Sequence, residues 1–146
     1  MKGFTFPLRQ TLEWRKAQLE LEENKLRQLV ASLEEMALAA VRLEMVMSRA
    51  EGAVRQSAVV EAGDLWALAA YRQRLLAEKQ ALALKRAACE KEIAAARQKV
   101  LEAQRRCRLL EKLEQRRLAE WRKAADRETD SLAAESFLAL WNRRLD

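Results

Sequence analysis

The residues in this chain that could perform chemistry are few, and their types narrow the choices. The acidic pairs Glu22–Glu23 and Glu34–Glu35 are the nearest approach to paired carboxylates. Lys25 and Arg27 stand beside the first pair, and mixed charge at this spacing marks a solvated helix face. There is no histidine, no glycine-rich phosphate loop and no nucleophile-elbow pattern. The two cysteines, Cys89 and Cys107, are the only thiols. If one helix carries both, they stand about 27 Å apart at ~1.5 Å per residue, far beyond the ~4.4–6.8 Å Cα separation of a disulfide. Two thiols without histidine do not make a zinc site, so both read as small seam-filling residues in a reducing compartment. The expectation is a non-enzymatic chain with no cofactor, no metal and no small-molecule substrate.

Two residue classes suit protein recognition better. The basic cluster Arg105, Arg106, Arg108, Lys112, Arg116 and Arg117 is broken only by Glu111 and Glu114. A basic-zipper reading needs a basic helix running into a leucine zipper. Here the basic run follows the heptads and acidic residues interrupt it, so no nucleic-acid binding is expected and a basic coiled-coil nucleic-acid binder is the lesser alternative. The alternatives are a strip for an acidic protein surface or a solvated face. Four Trp stand beside three Phe and one Tyr. Trp14 and Trp66 fall off the expected helix seam, and Trp121 and Trp141 lie near the C-terminus. An off-seam Trp can lie flat along its own helix, but Trp is also the commonest interface anchor.

The elements that carry these residues are helices. The chain has 146 residues, three Gly and one Pro, and charged residues make up 34% of it. Ala, Leu, Glu, Lys, Arg and Gln dominate, and these are strong helix formers. With Leu12 at a, the a series runs Leu12, Leu19, Leu26, Leu33, Ala40, Met47, Val54, and the d series Leu8, Arg15, Glu22, Leu29, Met36, Leu43, Ala50. Six heptads in register predict a coiled-coil helix over about 6–51, with Pro7 suited to its first turn. The segment from Gly52 to Gly63 breaks the heptad and predicts the connection, with Asp64 as N-cap of the next helix.

A second heptad predicts helix two over about 64–143. Its a series is Leu65, Arg72, Lys79, Arg86, Ile93, Val100, Cys107, and its d series Leu68, Leu75, Leu82, Cys89, Ala96, Ala103, Leu110. The basic a residues near the turn suggest that Ala69, Leu76 and Ala83 at e take over the stripe. The predicted fold is all-α: a single domain of two long unequal helices forming an antiparallel coiled-coil hairpin with a C-terminal helical overhang. Folding back about residue 58 sets residue i opposite roughly 116 − i. Beyond about residue 110 helix two then lacks a partner in the chain, although it still carries Leu113, Leu118, Trp121, Leu132, Phe137, Leu138, Leu140 and Trp141. Helical apolar surface of this kind is usually covered by another protein, and a self-associating scaffold is the structural alternative.

No window of about 18 uninterrupted apolar residues occurs, which excludes a helical membrane span. The start MKGFTFPLRQ lacks the apolar core of a secretory signal. The net charge is +6, compatible with an acidic partner. Together these predict a cytoplasmic protein.

These residues also carry a resemblance. The opening Phe4-x-Phe6-x-Leu8-x-x-x-Leu12-x-x-Arg15 resembles the start of the FliJ family of flagellar type III export proteins. Leu68-x-x-Tyr71-x-x-x-Leu75 resembles that family's start to helix two. Leu110-Glu111-Lys112-Leu113-x-x-Arg116-Arg117-x-x-Glu120-Trp121 is similar to its C-terminal signature. Where family members often end in an Asp-Glu pair with small and basic residues after it, this chain has Asp130-Ser131 and Ala134-Glu135. The resemblance implies a stalk-like partner of the flagellar export ATPase ring that also contacts the cytoplasmic domain of the export gate and handles export chaperones. It implies an ATPase-facing set of Phe4, Phe6, Leu8, Arg15, Leu113, Arg116, Arg117, Glu120 and Trp121, and a gate-facing pair, Tyr71 and Leu75. Membrane association would then be peripheral, through the export apparatus at the inner membrane.

Overall fold

A computed structural model describes residues 2–145. Among them all regular structure is helical: α1 spans Arg9–Gln56 and α2 spans Ala62–Leu145. The two long helices pack against each other as a hairpin. Their residues fall into two compact units, one of Met1–Glu20 with Glu102–Asp146 and the other of Leu21–Leu101.

In the Leu21–Leu101 unit the heptad pattern maps onto burial. Leu75, Cys89, Ile93, Ala96 and Val100 of α2 are buried, all of them at predicted a or d positions. On α1 the matching residues Leu26, Leu29, Leu33, Met36, Ala40, Leu43, Met47 and Ala50 are half-buried. Two helices alone cannot enclose a side chain on every flank, so partial burial is the rule for a two-layer seam. The Cys89 thiol donates to the Leu29 carbonyl at 3.5 Å, so it fills the seam and has a local acceptor.

Near the turn the stripe does not move to e. Ala69, Leu76 and Ala83 are exposed. The basic a residues stay at the seam margin and reach acids on α1, Lys79 to Glu44 at 3.0 Å and Arg72 to Glu51 at 3.5 Å. A long basic side chain can rest its stem on the apolar stripe and keep its charge in water, so no drift is needed. These pairs also correct the register. A fold about residue 58 would put residues 72 and 65 opposite Glu44 and Glu51. These charged partners lie seven positions further along α2, while Cys89 meets Leu29 only two positions beyond the expected 87.

The connection is also shorter than predicted, because α1 runs on to Gln56 and α2 starts at Ala62. Gly52 and Gly63 are helical rather than loop residues. Neither has positive φ, and a Cβ at either would meet nothing within 4 Å. Glycine lowers helix propensity but does not by itself end a helix. Ser57 Oγ donates to the Val59 carbonyl at 2.9 Å inside the five-residue turn. Asp64 lies in the first turn of α2 rather than at its cap, and its Oδ2 accepts from the Glu61 N–H at 3.2 Å. That is the reach-back half of a capping box, with Glu61 in the N-cap place.

In the other unit, residues 2–6 are not helical, and Pro7 and Leu8 form the turn that leads into α1. The Arg9 N–H donates to the Phe6 carbonyl at 3.1 Å and the Leu12 N–H to the Leu8 carbonyl at 2.9 Å. Phe6, Leu12 and Cys107 form its buried core, and Leu12, 1% exposed, is the best-covered large side chain in the chain's described residues.

Candidate protein-binding site

The N-terminal residues are held where they are by α2. Phe4 lies against Trp121 with ring centroids 6.1 Å apart and a tilted geometry, an arrangement that aromatic quadrupoles favour. The Trp121 indole N–H donates to the Lys2 carbonyl at 3.3 Å. Two turns further inward, Arg9 pairs with Glu114, and beyond it Lys16 lies 4.0 Å from Glu111. The overhang expected from about residue 110 is therefore paired as far as Trp121. Lys2 and Arg9 are seven positions apart and so are their partners Trp121 and Glu114, so the N-terminal segment keeps step with α2.

The inward stripe of α2 changes position here. Cys107, Leu110, Glu111, Glu114, Leu118, Trp121 and Ala125 are buried or half-buried, whereas Arg117, the next d residue after Leu110, is exposed. Past Leu110 the seam therefore uses a and e instead of a and d. Drift to e does occur, but at this end of α2 rather than near the turn.

Nine residues were expected to face an ATPase, and all fall in this one unit. Phe6 is buried, while Phe4, Leu8, Arg15, Leu113 and Trp121 are half-buried. Arg116, Arg117 and Glu120 are exposed and are the members of the set freest to meet another molecule. Arg105, Arg108, Lys112 and Arg116, spaced three or four apart, share the outward side of α2, and all are exposed. The Arg15 guanidinium lies 4.8 Å from the Trp14 ring centroid, a cation–π contact that keeps this off-seam Trp against its own helix. Tyr71 and Leu75 belong to the other unit. Leu75 is 4% exposed and so is a seam residue with no surface to offer a partner. Tyr71 is exposed and borders a groove of about 520 Å³ lined also by Ala50, Ala53, Val54, Ala67 and Leu68.

No family model, curated protein or solved structure matches this chain.

The remaining chemistry is modest. Cys107 is a free, buried thiol. Burial raises its pKa and Glu111 raises it further, against the opposing pull of Lys16 and Arg15, so the unreactive protonated form is favoured. Among the described residues there is no group of three or more His, Cys, Asp or Glu placed to hold a metal. No described helix is long and apolar enough to cross a membrane.

From Asp126 to Leu145 every residue is exposed. Sequence reasoning included this stretch in one overhang, but it differs from residues 111–121. Leu132, Phe137, Leu138, Leu140, Trp141 and Leu145 are each more than half exposed, and Phe137 stacks on Trp141 at 6.3 Å.

Proposed function

We propose that this chain is a non-enzymatic, protein-binding helical hairpin of the flagellar type III export apparatus that docks into the export ATPase ring as a stalk. The observation that supports this reading most is the joining of two distant stretches, residues 4–15 and 113–121, in one packed unit. These stretches carry the family-like motifs. Their apolar members hold the patch together, and Arg116, Arg117 and Glu120 are left outward to make the contact. Trp and Arg contribute most to protein interfaces, and Arg pairs geometrically with carboxylates of an acidic surface. A stiff helix pair suits a stalk because it can transmit position without an active site of its own.

The hairpin-turn side, with Tyr71, is assigned to the export gate, and export chaperones are further partners on this reading. The protein would work in the cytoplasm, peripheral at the inner membrane through those partners. The test is capture of the purified export ATPase by the purified chain. Arg116→Glu should weaken capture by about tenfold or more without altering helix content. Unchanged capture and unchanged stimulation of ATP turnover by a double Arg116→Glu, Arg117→Glu variant would refute the docking site.

A further inference from the structure

The C-terminal segment carries an apolar face that does not continue the hairpin seam. The seam of α2 in this unit runs through Cys107, Glu111, Glu114, Leu118, Trp121 and Ala125. At about 100° per residue, the row Ser131, Ala134, Leu138, Trp141, Leu145 lies roughly half a turn away, on the outward side of the same helix. The N-terminal residues, packed on the seam side, are on the wrong side to cover it. All five members are exposed, with Leu138, Trp141 and Leu145 at 58%, 54% and 72%. Their spacing alternates three and four, which is an a/d row.

We infer that this row is the interface for a second copy of the same chain, paired antiparallel through residues 130–145. Two features of the row choose the occupant and the direction. First, the small residues stand at one end of the row and the large ones at the other, with Ser131 and Leu138 at a and Ala134 and Trp141 at d. In an antiparallel pair a layers against d, so Trp141 meets Ser131 of the second copy and Leu138 meets its Ala134. Each of these layers joins one large and one small side chain, as close packing requires, and the outer Leu145 packs on the stem of Arg127 of the second copy. In a parallel pair Trp141 would meet Trp141 and Ser131 would meet Ser131, a clash beside a void.

Second, the flanking g positions hold Asp130, Phe137 and Arg144. In the antiparallel register g faces g, with Phe137 against Phe137 at the twofold axis and Asp130 against Arg144 of the second copy, twice. Such a self-complementary patch is what a twofold, isologous interface needs. The other flank places Glu135 near its own copy, the one like-charge contact of the arrangement. The Phe137–Trp141 stack already orders the aromatic part of the face before association.

This inference does not rest on the export reading, and its test uses the purified full chain with no ATPase present. In sedimentation equilibrium the chain should show a monomer–dimer equilibrium. Asp130→Arg and Arg144→Glu should each weaken dimerisation by about tenfold, since each replaces two attractive pairs by two repulsive ones. Mixing the two single variants should restore dimerisation to the wild-type level. In the mixed pair the introduced arginine of one copy meets the introduced glutamate of the other, and the second Asp130–Arg144 pair is the native one. Glu135→Gln should strengthen association, and Trp141→Ser should abolish it with helix content unchanged. A chain that stays monomeric across the concentration series would overturn the inference and leave the face to a different protein. So would dimerisation that survives Trp141→Ser, or single variants that fail to restore each other on mixing.

Discussion

Replacing Leu12 by Ala isolates the packing of the unit that carries the candidate site. Leu12 is 1% exposed and lies on α1, so the substitution removes buried methyl groups without changing charge. Leu→Ala in a well-packed core costs about 2–5 kcal/mol, depending on how far the site collapses. A two-helix seam is open at its flanks and can close partly over the gap, which favours the lower half of that range, about 2–3 kcal/mol. Ala is a slightly better helix former than Leu, but that gain is only ~0.2 kcal/mol and cannot offset the loss. For a chain of 146 residues this corresponds to a fall in Tm of about 4–12 °C, followed by circular dichroism at the helical band. The control is Leu38→Ala, at a site 57% exposed on the same helix, where little change is expected. Hydrogen exchange at residues 105–121 should rise in the Leu12 variant and stay unchanged in the Leu38 variant. Equal melting of the two variants would refute the packing argument for this unit.

Other outcomes can be checked with equally simple measurements. Trp121→Ala should release residues 2–6, seen as faster proteolysis before Pro7, because it removes the Phe4 ring contact and the hydrogen bond to Lys2. Lys79→Glu sets like charge against Glu44 and should destabilise by up to about 1 kcal/mol in low salt, with most of that loss screened in molar salt. Gly52→Ala should raise stability by about 0.5–1 kcal/mol, since the added methyl meets nothing and helix propensity improves; a lower Tm would contradict the open space around Gly52. Cys107 should react slowly with thiol reagents in the native chain and rapidly in denaturant. Its raised folded pKa favours the protonated form, so this stabilisation is complete below the unfolded thiol pKa and fades as pH climbs through the folded value. Glu111→Gln should bring the reactive range to lower pH.

The heptad series was legible because it is local: Leu75, Cys89, Ile93, Ala96 and Val100 are buried where the a and d positions put them. Register was not legible, for a physical reason. A slip of seven residues returns every a and d side chain to the same face, so apolar periodicity cannot distinguish Glu44–Lys79 from a pairing one heptad away. Only the length and path of the turn decide it, and the two glycines gave a misleading account of that turn. The Phe4–Trp121 contact was hidden for a different reason. It depends on residues 2–6 lying along α2 ahead of the first helix, and helix periodicity gives no path for a non-helical segment. Trp14 and Trp66 were readable as off-seam, and both are exposed. The outward turn of the apolar row after residue 125 could have been found by tracking angle instead of counting apolar residues.

The packing of Phe4 on Trp121 has a practical consequence for anyone handling the protein. An affinity tag joined ahead of Lys2 begins two residues from a ring that holds the N-terminal segment in place. A tag joined after Leu145 begins beside the outward row of Trp141 and Leu138. Labels at either end therefore act as perturbations of the surfaces they are meant to report on. The turn at residues 57–61, exposed throughout, is the place where an inserted epitope leaves both intact.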